Sequence, residues 1–278
     1  YSPDTARRIL RYGAPVGSYI EHHHHLSRCM DHLRYLVHEG KSVSTPDTGS
    51  VVWADKLSDS SGRFSRPWHA PPGGLYLALL WADTLLPEFS RQIPFAAGIA
   101  CCETISSLGP SARIKWVNDL HVGDKKISGI LSEAMAGPDD EWFHLIGIGI
   151  NVNNTVFPEE LQGKATALRI ETGRCFDLEE VCSLLLARLQ WNFGLLYYAE
   201  EQWMAGADRT AVAKKGPLLE RWLELSDTPG RLVLYGYDVQ KKPLYQAKAM
   251  DIDAIGGLIM KLADGSQVTE YSGEILYV

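Results

Sequence analysis

What the chain lacks narrows its role before anything it contains is read. No run of about 18 uninterrupted apolar residues occurs in its 278 residues, so no membrane role is expected. Positive charge is not in excess: the formal net charge of -7 argues against broad affinity for nucleic acid. No CxxC pair occurs among the five cysteines, Cys29, Cys101, Cys102, Cys175 and Cys182, an odd set that reads as the reduced thiols of a cytoplasmic protein. No signal-like N-terminus, internal repeat or low-complexity tract is visible apart from the tetrad His22 to His25. Adjacent histidines do not converge on one ion as helix-spaced or strand-spaced ligands do, so the tetrad is read as a polar strand edge or loop.

What remains is the composition of a globular chain, 45% hydrophobic and 22% charged, long enough for one large domain or a large one with a small one. "SRCMDHLRYLVHEG" has the apolar spacing of an amphipathic helix ending at Gly40, and Phe95 to Leu108 is helical too. "SVVWADKL" and "GGLYLALLWA" read as strands on either side of a polar stretch, Ser58 to Gly74, and "WFHLIGIGINVN" as a strand running into a loop. Asp177 and Glu180 form a capping pair for a long core helix, and "TAVAKKG" at 210–216 reads as a loop. Short strands with turn residues then follow, as in a small barrel, which puts a boundary near Ser226 and gives units 1–225 and 226–278. Trp116, Leu131, Ile146, Ile148 and Ile150 are read as packing, and Cys101-Cys102 as core.

Three segments carry more polar chemistry than packing needs. "IKWVNDLHVGDKKISGIL", 114–131, reads as a two-strand hairpin turning at Gly123-Asp124, yet it holds Lys115, Asn118, Asp119, Lys125 and Lys126. Ammonium groups, an amide and a carboxylate on adjoining strands suit a polyanion with its Mg2+, and a surface salt-bridge ladder is the plainer alternative. "SSGRFSRPWHAPPGG" brings Arg63, Arg66 and Trp68 into one flexible basic loop, of the kind that folds over phosphates. "GIGINVNN" lets the backbone approach a ligand, with Asn151 and Asn153 as amide donors and acceptors.

In order and spacing, "GRFSRPW" (62–68), "KWVND" (115–119), "KISGIL" (126–131) and "GIGIN" (147–151) resemble the biotin protein ligases of the wider biotin and lipoate ligase group. The tail "AIGGLIMKLADGSQVTEYSGEI" is similar to that family's small C-terminal barrel. The resemblance implies an α+β fold: a mixed-sheet catalytic domain followed by a small SH3-like β-barrel. It implies an ATP-dependent ligase that adenylates biotin or a related carboxylic acid and passes the acyl group to a lysine of a carrier protein, with a homodimer considered as its assembly. Lys126 would contact the carboxylate and α-phosphate. Lys115 and Asp119 would support the phosphate and Mg2+ side, and Asn118 would add a polar contact. Gly129 would leave room for substrate, Asn151 would face the adenine, and Arg63, Arg66 and Trp68 would belong to the closing loop. The N-terminal DNA-binding domain of some relatives has no counterpart in these residues, so DNA regulation is not expected.

The departures concern the acid. Where the family has a glutamine that helps recognise the polar ring of biotin, this chain has Leu57, and Ser58, Asp59, Ser60 and Ser61 stand where a glycine- and arginine-rich run begins. Arg28, Cys29 and Met30 replace a Ser-Thr pair and its neighbour, and Val117 replaces a proline. Three readings follow: a biotin ligase, a ligase for another acid, or a binding or regulatory protein of the same fold.

Overall fold

The computed structural model describes residues 1–39, 47–206 and 215–278. Gly40, the expected helix end, and most of the expected loop at 210–216 lie outside the described residues.

Alternation of side chains across extended backbone builds the central layer. Strands β1 (Ile20–His23), β2 (Val51–Ala54), β3 (Leu75–Ala82), β4 (Ala112–Lys115), β5 (Asp119–Val122), β6 (Lys125–Ala136) and β7 (Trp142–Ile150) form one sheet in the order β1-β2-β3-β7-β6-β5-β4. The β1–β2 pair is parallel and the other pairs are antiparallel. β2 and most of β3 are buried on both faces, which is why they read as continuous apolar runs rather than alternating ones. Val51, Trp53, Leu75, Leu77, Leu79 and Trp81 join the larger cluster, whereas Val52, Ala54, Ala78 and Leu80 join a smaller one on the opposite face.

The larger cluster is closed by α4 (Ile93–Ser107), α6 (Leu178–Met204) and α7 (Pro217–Leu225), with α1 (Pro3–Gly13) packed along α6; α3 (Pro87–Ser90) and α5 (Leu168–Thr172) are short helices that precede α4 and α6. Asp177 caps α6 as expected, its side chain accepting from the backbone N–H groups of Glu179 and Glu180. Cys101 and Cys102 are fully buried on α4, and burial pushes the Cys102 thiol up to about 11, as befits core residues. The smaller cluster is closed by α2 (Cys29–Glu39), whose Cys29, Met30, Leu33 and Val37 face β2, β3 and β7. The site lies on this thinner side.

The hairpin expected for 114–131 is instead a three-strand meander. The chain reverses at 116–118 as well as at Gly123-Asp124, so Lys115 pairs with Asp119 across β4 and β5, and Asp119 with Gly129 across β5 and β6. Asn118 fixes the first reversal: its Nδ2 donates to the Ile130 carbonyl at 2.5 Å, and its carbonyl accepts from Ile130 N–H. That extra turn turns a sequence of scattered charges into a compact charged patch.

The short strands expected near the C-terminus form a five-stranded antiparallel sheet, β8 (Leu232–Gly236), β9 (Tyr245–Ile252), β10 (Leu258–Lys261), β11 (Gln267–Glu270) and β12 (Glu274–Tyr277), in the order β11-β10-β9-β8-β12. Its inner residues Val233, Ala249, Ile252 and Met260 belong to the same cluster as Phe95 and Trp222, so one apolar core runs through both sheets. Trp116 ties the join, donating through Nε1 to Gly256 and through its backbone N–H to Thr228. The histidine tetrad begins in β1, an edge strand, as the polar-edge reading anticipates.

Candidate active site

The "GIGI" run shows why the site forms where it does. Ile146, Ile148 and Ile150 of β7 point into the helical layer, so Gly147 and Gly149 between them lie on the α2 face. A Cβ on Gly149 would sit 2.8 Å from the Trp68 indole, and one on Gly147 2.6 Å from Met30 Sδ. Gly129 is paired across the ladder with Gly149, and a Cβ there would meet Trp68 and Lys126 at 3.3 Å. The glycines leave a bare strip of sheet, and an indole and an ammonium group occupy it.

This strip is the floor of a cleft enclosing about 1150 Å³, open mouth included. Leu57, Arg63, Arg66, Trp68, Lys115, Asn118, Asp119, Lys126 and Gly129 all line it. Nine of the ten expected site residues are thereby brought together. The tenth, Asn151, is not: it is buried below the strand end, donating to the Thr166 carbonyl, and is absent from the cleft wall. Asn153 is also committed elsewhere, with both ends of its amide bonded to the backbone of Phe176. These asparagines pin the loop after β7, because a chain leaving a buried strand must satisfy its backbone groups locally.

The charges on the floor are coupled. Lys126 Nζ lies 2.6 Å from Asp119 Oδ1 and 5.4 Å from the centre of the Trp68 ring. Burial lowers the pKa of Lys115 below the ordinary lysine value, and the nearby Lys126 charge adds to this against the opposing pull of Asp119. Burial alone would raise the Asp119 carboxyl, but Lys126 and Lys115 overcome it and hold the pKa low. Two cations held beside one anion leave a local surplus of positive charge in a chain that is acidic overall.

The loop before β3 forms the lid. Trp68 N–H donates to Ser60 and Gly62 N–H to Arg66, making a small hairpin whose tip is a tight turn closed by Arg66 N–H donating to the Arg63 carbonyl. Phe64 and Ser65 both have φ of 56°, the left-handed region that non-glycine residues seldom adopt. Arg63 donates to the Gly273 carbonyl at 2.7 Å, while Arg66 meets Asp238 at 3.1 Å and Glu274 at 2.6 Å. Sequence reasoning missed this second wall. Glu274 and Ile275 of β12 and Val239 and Gln240 of the loop after β8 line the cleft, 113 to 160 residues along the chain from the lysines, and no local pattern marks them. In the sequence Arg28 stands out only as a departure from the family pattern. It also lines the cleft, and it is held by Glu133 at 2.9 Å.

Residues 27–153 match the biotin/lipoate A/B protein ligase family model, and these residues include the glycine strip, the charged meander and the lid. Over this segment, a little under half of the chain, the protein is similar to that family. It is 35% identical over 153 residues to the bifunctional ligase/repressor BirA of Bacillus spizizenii, a match covering 54% of this chain and 47% of that protein. The biotin--[acetyl-CoA-carboxylase] ligase of Paracoccus denitrificans is 29% identical over 190 residues, covering 63% and 79%. The chain spans about half the length of the ligase/repressor relatives it matches. The biotin protein ligase from Aquifex aeolicus in complex with biotin and ATP shares the fold, with a TM-score of 0.71 at 23% identity over 94% of this chain and 98% of that one. Among the described residues no helix is long and apolar enough to cross a membrane.

Proposed function

We propose that the protein activates a carboxylic acid with ATP and passes the acyl group to a lysine of a carrier protein. In the first step a carboxylate oxygen attacks the α-phosphorus and pyrophosphate leaves. In the second the lysine amine attacks the acyl carbon and AMP leaves. The observation that carries this reading is the convergence of Lys126, Lys115, Arg63 and Arg66 on one cleft floored by glycine and closed by an indole. Catalysis here means holding like-charged reactants together and stabilising the charge that builds on phosphorus, and fixed cations in a partly dry cleft do both. Lys126 is the group assigned to the carboxylate and α-phosphate, with Lys115 beside it. The lid arginines are assigned to the phosphates and Trp68 to the exclusion of water from the adenylate.

A Mg2+ ion fits this cleft in one manner. Asp119 faces the cations, and Glu274 Oε2 is buried in the same wall without a hydrogen-bond partner. One or two carboxylates suit a hydrated ion carried by a triphosphate rather than an all-protein cage. Its chemistry would be to neutralise charge on the departing pyrophosphate. Residues 226–278 are taken as a smaller unit that completes the wall of a catalytic unit formed by 1–225.

Biotin is the default acid. Leu57 favours a second reading, a less polar acid, because it places an alkyl group in the cleft near Met30 and Leu131. Incubation with MgATP and a panel of biotin, lipoate and simple fatty acids, followed by mass spectrometry for the acyl-adenylate, tests the function. One adenylate among the panel supports it, and none with any acid removes it.

A further inference from the structure

The histidine tetrad holds a feature that the ligase reading does not use. Extended backbone sends Glu21 and His23 of β1 to one side, toward α2, where His32 projects back at them. His23 Nε2 lies 2.6 Å, and His32 Nε2 3.1 Å, from the same carboxylate oxygen, Glu21 Oε1. One donor atom from each of the three falls within 4.8 Å of the others, and the imidazole rings stand at 70° with centres 4.6 Å apart. All three side chains are about three-quarters buried, so their rotamers are confined, yet solvent reaches them.

We infer that Glu21, His23 and His32 form a binding site for one zinc-class divalent cation. Two neutral imidazole nitrogens and a carboxylate oxygen are the borderline donor set such ions select, and three protein donors leave one tetrahedral position for water. Bonds of about 2.0–2.2 Å at tetrahedral angles put donors roughly 3.3 Å apart, so closing on an ion asks only for small side-chain movements from the observed spacing. The neighbouring histidines show what a plain hydrogen-bonded pair looks like in the same tetrad. His22 and His24 reach different oxygens of Asp55, at 2.7 and 2.8 Å, and His24 is almost fully exposed. Adjacency in sequence therefore misleads: alternate members of the tetrad face opposite ways, and the true third donor comes from a helix. A bound ion would clamp the sheet edge to α2, whose first turn puts Cys29 and Met30 into the wall of the cleft.

The test uses the full chain without an affinity tag, stripped with chelator and titrated with Zn2+ by calorimetry, then with Co2+ by visible absorption. We expect one ion per chain, a tetrahedral cobalt spectrum, and a Tm raised by roughly 5 °C or more when zinc exceeds Kd by about 100-fold. His32→Ala should weaken binding at least about 100-fold, since it removes one of three ligands. Glu21→Gln, a near-isosteric change whose fold is checked by circular dichroism, should do the same. The pair His22→Ala and His24→Ala should leave it intact. Unchanged binding in both His32→Ala and Glu21→Gln would overturn the site, as would loss of binding in the His22/His24 variant alone. An original protein that neither binds nor gains stability would show that the three groups are only hydrogen-bonded.

Discussion

At the scale of single residues, Lys115 and Leu57 each trade one property for another. The folded state lowers the Lys115 pKa chiefly by burying the ammonium group. A lysine depressed in the fold binds its proton less well there than in the unfolded chain, so it opposes folding below the lowered pKa. That opposition fades as pH rises from the lowered value toward the unfolded one, near 10.4. Lys115→Met should therefore raise Tm at neutral pH, by an amount that shrinks as pH climbs into the alkaline range, while adenylation falls. Thermal melts from pH 7 to 10 check this, and a Tm gain that does not change with pH would show that packing alone is responsible. Leu57 offers the acid no hydrogen bond, and an unpaired buried polar group costs about 1 to 3 kcal/mol. Leu57→Gln is thus expected to tighten biotin binding by roughly five- to 150-fold. Weaker binding by the variant in calorimetry would show that the cleft reads biotin through other groups.

Elements were partly legible in the sequence, for physical reasons that differ from one to the next. The glycine strip was visible because "GIGI" alternates isoleucines on one face with bare backbone on the other, and α6 was visible because Asp177 heads a long apolar stretch. The three-strand meander was not, because the reversal at 116–118 rests on the Asn118 to Ile130 clasp, a contact across 12 residues. An amide at a strand end serves backbone and ligand equally well: Asn153 bonds backbone through both ends of its amide, whereas Asn151 donates to the Thr166 carbonyl and leaves its buried Oδ1 without a partner. The lid poses the sharpest question at this scale. Its tip holds two residues at positive φ, while its base is held by only a few backbone bonds, the pattern of a segment with low local stability. Hydrogen exchange over 58–74 should slow at least several-fold when ATP and the favoured acid are added. Gly149→Ala, which drives a methyl group into the seat of Trp68, should abolish that slowing. Equal protection with and without ligands would mean that the lid is a fixed wall.

Across the whole molecule, the cleft exists because three distant parts of the chain meet: α2 and the lid from the first 70 residues, the charged meander, and the C-terminal sheet. The lid arginines bridge to Asp238, Gly273 and Glu274, contacts that no local sequence pattern foretells. The resemblance of the tail supplied the presence of that sheet but not its place in the site. Asp238 and Glu274 hold Arg66 of the lid against the C-terminal unit by charge. The central claim is that this cleft makes an acyl-adenylate reversibly. Exchange of labelled pyrophosphate into ATP, dependent on the added acid, measures that step without needing the acceptor protein. The account predicts exchange with biotin or a less polar acid, reduced by at least about 100-fold in Lys126→Ala, consistent with the roughly 3 kcal/mol typical of one preorganised charge contact. No acid-dependent exchange in a protein that still binds ATP, or undiminished exchange in Lys126→Ala, would contradict it.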